Sequence, residues 1–119
     1  LTPYFEALPD ADAVVLGAGI YMGYPQGEAW NCMDRHFCLH RKVMAGGADN
    51  CRIPAGKKLI PVFAQGAPDN PEYRKNYEAL LAPFDGWGFV RVPAIVLSGM
   101  NAGEQLEKGF SIGKELLKK

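Results

Sequence analysis

The run Ala13-Val14-Val15-Leu16-Gly17-Ala18 (AVVLGA) decides the fold class. It is apolar, β-branched and closed by glycines, without polar alternation, which is the pattern of a strand buried on both faces of a parallel sheet. Downstream the period changes. After Pro25, the residues Trp30, Met33 and Phe37 fall at helical spacing and Ala29 widens the stripe, so an amphipathic helix is expected to end near His40. Residues 41–57 then concentrate turn formers, among them Gly46, Gly47, Asp49, Pro54 and Gly56, and are expected to form a long loop.

A second strand is expected at residues 58–64 (KLIPVFA), although Pro61 lacks a ladder donor and points to an edge or a bulge. The helix after it is well punctuated. Asn70 suits the N-cap, Pro71 the first helical position, and Tyr73, Tyr77, Leu80, Leu81 and Phe84 form one stripe, with Pro83 and the turn DGWG at 85–88 expected to stop it. A third strand spans about residues 94–97. Leu106, Phe110, Gly113 and Leu117 then mark a final helix, with Lys118 and Lys119 at its negative dipole end.

The order β-α-β-α-β-α implies an α/β fold of parallel strands and right-handed crossovers, with helices on both faces. Residues 1–119 make at most one domain. Three parallel strands leave unpaired edges and an incomplete helical cover, so a partner segment is expected to complete the sheet. The opening residues LTPYFEAL resemble the end of a helix that begins elsewhere, which makes a missing N-terminal segment or a companion chain the expected source.

Charge and composition narrow the partners. Lys plus Arg and Asp plus Glu balance at 13 each, with no basic cluster, so the electrostatic footprint of a nucleic-acid binder is missing. The longest apolar stretch is far short of the roughly 20 residues that cross a bilayer, so no membrane partner is expected. A soluble, cytoplasmic protein is the expectation, since no charged and apolar leader opens the chain. Cys32, Cys38 and Cys51 are an odd number of thiols, expected to be reduced rather than to form a disulfide framework.

Open parallel sheets bind ligands beyond the carboxyl ends of their strands. After the first strand comes GAGIYMGYPQG (residues 17–27), where glycines allow close backbone approach and Tyr21, Met22 and Tyr24 offer flat or polarizable surface. Such a loop suits a planar aromatic ligand, stacked on side chains and hydrogen-bonded at its polar edge by bare backbone N–H groups.

The stretch from 17 to 35 (GAGIYMGYPQGEAWNCMDR) resembles the flavin-ring loop and following helix of the NAD(P)H-dependent FMN reductase and iron–sulfur flavoprotein families, where the run is similar to G-S-P-I-Y-x-G-x-x-x-G with a helix ending in D-R. Gly17, Ile20, Tyr21, Gly23, Gly27, Asp34 and Arg35 match without a gap. A second stretch, FAQGAPD at 63–69, resembles the second flavin loop, usually T-Q-G; Gln65 and Gly66 match and Ala64 replaces the threonine. The resemblance implies a flavodoxin-like three-layer sandwich whose parallel sheet takes its last three strands from this chain, the first two strands and the Ser/Thr-rich phosphate loop being absent.

It further implies that Gly19, Ile20, Tyr21, Met22, Gly23, Gln65, Gly66 and Ala67 bind FMN. The implied activity is that of an oxidoreductase passing electrons from NAD(P)H to a quinone, a flavin or another small redox acceptor. No side chain is named as a catalytic acid or base, because the chemistry belongs to the cofactor. A homo-oligomer is implied, since ring sites in these families are often completed across a dimer interface. The alternatives are a flavodoxin-type electron carrier, against which the balanced charge weighs, and a non-catalytic interaction module without flavin.

Other chemistry-bearing residues have plainer readings. Cys32, His36 and His40 share a helical face at i, i+4 and i+8, but no acidic helper accompanies them and no metal site is expected. Cys32, Cys38 and Cys51 do not reproduce a cluster motif. Asp34 and Arg35 diverge around a helix and are expected to make separate contacts. Trp87, Tyr73 and Cys38 are expected to pack.

Overall fold

The computed structural model describes residues 2–36, 40–41, 50–51 and 53–118. In chain order the elements are α1 (Thr2–Ala7), a 3-10 turn (Leu8–Asp10), β1 (Ala13–Tyr21), β2 (Tyr24–Pro25), α2 (Gly27–Arg35), β3 (His40–Arg41), β4 (Asn50–Cys51), β5 (Lys58–Ala64), α3 (Pro71–Gly86), β6 (Val90–Arg91), β7 (Ile95–Leu97) and α4 (Ala102–Leu116). The fold is α/β with a mixed sheet of five strands. Its parallel part runs β1, β5 and then β6 and β7 side by side along the far edge of β5, while β2 pairs antiparallel with the end of β1. Strands β3 and β4 form a separate small ladder inside the stretch expected to be loop.

The strand AVVLGA is longer and more one-sided than its composition implies. It continues through Gly19 and Ile20 to Tyr21, and its burial alternates: Val14 is 8% exposed and Val15 66%. The expectation of burial on both faces is corrected here. Val14, Leu16, Ala18 and Ile20 point into a core with Leu59 and Phe63 of β5, covered by Ala29 of α2 and by Tyr77, Leu80, Leu81 and Phe84 of α3. The opposite face carries Val15, Gly17 and Val62 and meets only α4 among the described helices, whose Leu106 and Phe110 are 71% and 62% exposed. An unbroken apolar run cannot tell these environments apart, because both need β-branched residues to form the strand.

Pro61 poses a conflict that register resolves. Its strand is the central one, not an edge, and Pro61 is fully buried. The Lys58 N–H donates to Asp12 O at 3.1 Å, toward β1, and the Gln65 N–H to Leu97 O at 2.9 Å, toward β7. Alternation therefore turns the Pro61 nitrogen away from β1, to the stretch 92–94 where β6 has ended and β7 has not begun. The missing donor falls in the one break of that ladder.

The helix α3 starts as its sequence specifies, with Asn70 Oδ1 accepting from the Glu72 N–H at 2.9 Å. It does not stop at Pro83, which lies inside it. A proline inside a helix costs about 3 kcal/mol, whereas burying Phe84 and, just beyond the helix, Phe89 contributes about 2–3 kcal/mol each, so packing carries the helix past the proline. At the other end, α2 terminates at Arg35 rather than near His40. Phe37, placed on the α2 stripe by its spacing, and Cys38 lie outside the described residues.

Candidate functional site

The β1–β5 register pairs Gly19 with Ala64, so the segments that follow the two strands emerge together at the carboxyl end of the sheet. The first of these is a hairpin rather than an open loop. Ile20 pairs with Pro25 and Tyr21 with Tyr24, which leaves Met22 and Gly23 as a two-residue turn with φ of 52° and 83°. Positive φ at both central positions marks a type I′ turn, whose twist matches that of the flanking strands. Glycine accepts this conformation freely, whereas methionine is held there at a cost of about 1 kcal/mol. Met22 is also 93% exposed, with Tyr21 at 69% and Tyr24 at 59% beside it.

Three contacts fix the hairpin. A Cβ built on Gly23 would meet the Tyr73 ring at 2.7 Å, so the bare Cα is what lets the turn lie against α3. Asn76 Nδ2 donates to Gly23 O at 2.8 Å. Trp30 Nε1 donates to Pro25 O at 3.1 Å, tying β2 to α2. Gly19 has a different role: a Cβ there would stand 2.9 Å from the Tyr21 ring, which therefore crosses the glycine on the open face of the sheet.

The second segment is organised by Gln65. Its side chain is buried, its Nε2 donates to Ala67 O at 3.0 Å and to Pro68 O at 2.9 Å, and its Oε1 accepts from the Tyr77 hydroxyl. Desolvation, with Asp69 and Tyr73 nearby, raises the Tyr77 phenol above its ordinary value and keeps it a donor. Gly66 is exposed, with no atom within 4 Å of a Cβ built on it.

The eight residues expected to bind a cofactor thus divide by position. Tyr21, Met22 and Gly66 are exposed at the carboxyl end, and Gly19 and Ala67 are half-buried there. Ile20, Gly23 and Gln65 are buried scaffold: Ile20 in the core, Gly23 against Tyr73, and Gln65 inside its own loop. Tyr73, assigned only to packing, and Asn76, which nothing singled out, are the hairpin's anchors. Their signal was the i, i+3 spacing that puts both on one side of α3. Met100, 90% exposed in the connection between β7 and α4, adds a further apolar side chain beyond a strand's carboxyl end.

The remaining candidates are structural. His36 is 1% exposed and stacks on Trp87 with centroids 5.3 Å apart, with Phe84, Tyr4 and Phe5 edge-on around it. Its Nδ1–H donates to Cys32 O at 2.7 Å, since a carbonyl can only accept, and its Nε2 then accepts from the Tyr4 hydroxyl at 2.7 Å. Both ring nitrogens are used, which removes the imidazole from metal chemistry. Burial lowers the His36 pKa, opposed in part by the Cys32 carbonyl. Cys32 is a free, half-buried thiol whose pKa burial raises, the reverse of what a reactive cysteine needs. Asp34 and Arg35 are exposed at the end of α2, and Trp87 packs as expected.

The chain matches no protein-family model, no curated protein and no solved structure. Among the described residues, no helix is long and apolar enough to cross a membrane.

Proposed function

We propose that the carboxyl end of this sheet holds the isoalloxazine ring of FMN. The completed domain would then be a flavodoxin-like oxidoreductase that passes electrons from NADH or NADPH to a quinone, a flavin or another small redox acceptor. The observation that carries the reading is the Tyr21–Tyr24 hairpin: an apolar tip, held in strained backbone with Met22 almost wholly in solvent, beside a second loop that Gln65 has already folded. Strain and exposed apolar surface both oppose stability, and their coincidence beyond the ends of parallel strands is where such sheets bind ligands.

The residues fit a flat, polar-edged ring. Tyr21 and Met22 supply stacking and dispersion surface, and Gly66 leaves backbone open to a ring edge. Tyr73, Asn76, Gln65 and Tyr77 orient these two segments without touching the ring. The flavin, when bound, supplies the acceptor for hydride and the donor of electrons. No Ser/Thr-rich turn for a phosphate is present in the sequence, so the ring is the part of FMN that this chain recognises. Balanced charge favours this enzyme over a flavodoxin-type carrier.

The test is a titration of the chain with lumiflavin, which is the ring alone, and with FMN. Both should lose fluorescence on binding and shift the backbone amide signals of residues 21–24 and 65–67, with FMN no tighter than lumiflavin. Unchanged fluorescence and amide signals up to the solubility limit of lumiflavin would falsify the reading.

A further inference from the structure

Among the described residues, the outer edge of β7 is closed by side chains rather than by a strand. Lys108 Nζ donates to Ala94 O at 2.7 Å, Asn101 Nδ2 donates to Val96 O at 3.0 Å, and Gln105 Oε1 accepts from the Val96 N–H at 3.3 Å. Edges are commonly covered in some such way, because unpaired N–H and C=O groups template further pairing. That duty uses only part of what Lys108 and Gln105 carry. An ammonium has three N–H donors and a carboxamide two. Lys108 therefore keeps donors to spare and the Gln105 amide nitrogen keeps both of its own, with no other protein acceptor among the described residues.

These leftover donors line a cavity of about 330 Å³ between α3 and α4, alongside the β7 edge. Pro93, Ala94 and Val96 give it an apolar wall, and Arg74, Tyr77 and Glu78 of α3, with Asp69 before them, close the opposite side. Both carboxylates are already matched. Arg74 Nε donates to Asp69 Oδ1 at 3.0 Å while its Nη2 donates to Oδ2, and Arg91 Nη1 donates to Glu78 Oε2 at 2.8 Å. Of the charged groups around the cavity, Lys108 is the one in no ion pair among the described residues. The cavity is therefore short of one negative charge and of acceptors for the free N–H groups of Lys108 and Gln105.

We propose that this cavity binds a small organic monocarboxylate, its oxygens taken by Lys108 Nζ and Gln105 Nε2 and its apolar body laid on Pro93, Ala94 and Val96. Lys108 and Gln105 stand at i and i+3 on α4, so both reach one carboxylate from the same side of the helix. Charge selects the class. A single unmatched ammonium accommodates one negative charge, and charge-assisted hydrogen bonds to a carboxylate are stronger than those to a neutral acceptor. A phosphate dianion would bring a second charge against Asp69 and Glu78, where like charges repel. An uncharged amide would leave the ammonium unmatched. The cavity shares no lining residue with Tyr21, Met22 or Gly66, so this site stands whether or not a flavin binds.

Amide NMR titrations at neutral pH and constant ionic strength decide the matter, with benzoate, acetate, benzamide and inorganic phosphate as probes. Benzoate should shift the signals of Val96, Asn101, Gln105 and Lys108 saturably. Acetate has the charge without the apolar body and should bind more weakly, and benzamide and phosphate should give no saturable shift. Lys108→Met keeps the stem and removes the charge, and should weaken benzoate about tenfold or more. Gln105→Glu keeps an acceptor for the Val96 N–H and sets a carboxylate where the free amide was. Benzoate binding should vanish in it while the Val96 amide stays slow to exchange. Three results overturn the proposal: no saturable shift with benzoate up to about 50 mM, another probe binding as tightly as benzoate, or unchanged benzoate affinity in either variant. If Lys108→Met loses slow exchange at Val96, Gln105→Glu and the probe series decide without it.

Discussion

The core face and the open face of the sheet are made by the same strands, from neighbouring residues of the same type, yet they do different work. On the core face Leu59, Phe63, Leu80 and Phe84 are completely buried. On the open face Val15 and Phe110 stay mostly in solvent, and α4 touches the sheet chiefly at β7, where a Cβ on Gly109 would contact Ile95 at 3.5 Å. Most of the complete burial therefore lies on one side of the sheet, and the other side, where Ile60 and Ile95 are buried, still keeps exposed apolar surface at Val15, Leu106 and Phe110. Large contiguous apolar surface in a folded chain marks a place where something binds.

Paired truncations test that division most strongly. Phe84→Ala should cost about 3–5 kcal/mol in urea unfolding, the range for emptying a packed aromatic site, while Phe110→Ala on α4 should stay within about 0.5 kcal/mol, as for other exposed positions. Equal costs would break the comparison. Gly23→Val should come next. It forces a branched residue to φ 83° and into the Tyr73 ring, for about 2–3 kcal/mol of strain and displacement. The loss should appear as faster amide exchange in the hairpin even without any ligand, because the space at Gly23 is filled by Tyr73 rather than left open.

The smallest effect is a pH dependence. His36 titrates below its ordinary 6.5 because it is buried. Above that pH the imidazole is neutral in both folded and unfolded chains and stability is at its plateau. As pH falls below 6.5 the unfolded chain takes up the proton first, so stability declines until the folded value is passed. His36→Gln should flatten urea midpoints measured between pH 7 and 5. The carboxylate Asp69, held by Arg74 below its ordinary 3.8, adds its own loss only in a more acidic window. A slope that survives His36→Gln would place the responsible group elsewhere.

Local signals carried the α/β class, the Asn70 cap and the position of the two segments beyond β1 and β5. They failed where tertiary contacts outweighed them. Pro83 looked like a stop, but Phe84 had somewhere to be buried. Pro61 argued for an edge, and only the register with β6 and β7 shows how a central strand holds it. Residues 17–27 looked like a glycine-rich ligand loop beyond the strand, whereas Gly19 continues the strand and Gly23 closes a turn against Tyr73. The division of Tyr21 from Ile20, one in solvent and one in the core, is a period-2 fact invisible until β1 is known to run to Tyr21. Residues that build a site from behind, such as Asn76 and Tyr77, carry no motif at all, because their chemistry is spent on other protein atoms.

Gln65 has one further consequence. Its amide and carbonyl are committed to Ala67, Pro68 and Tyr77, so residues 65–68 are folded before any guest arrives. A molecule meeting Gly66 there finds a rigid rim and loses little of its binding energy to ordering that loop. For the flavin ring proposed above, selectivity at that rim would be a matter of shape, with a flat edge that suits the hydrogen-bonded backbone received at little cost in ordering.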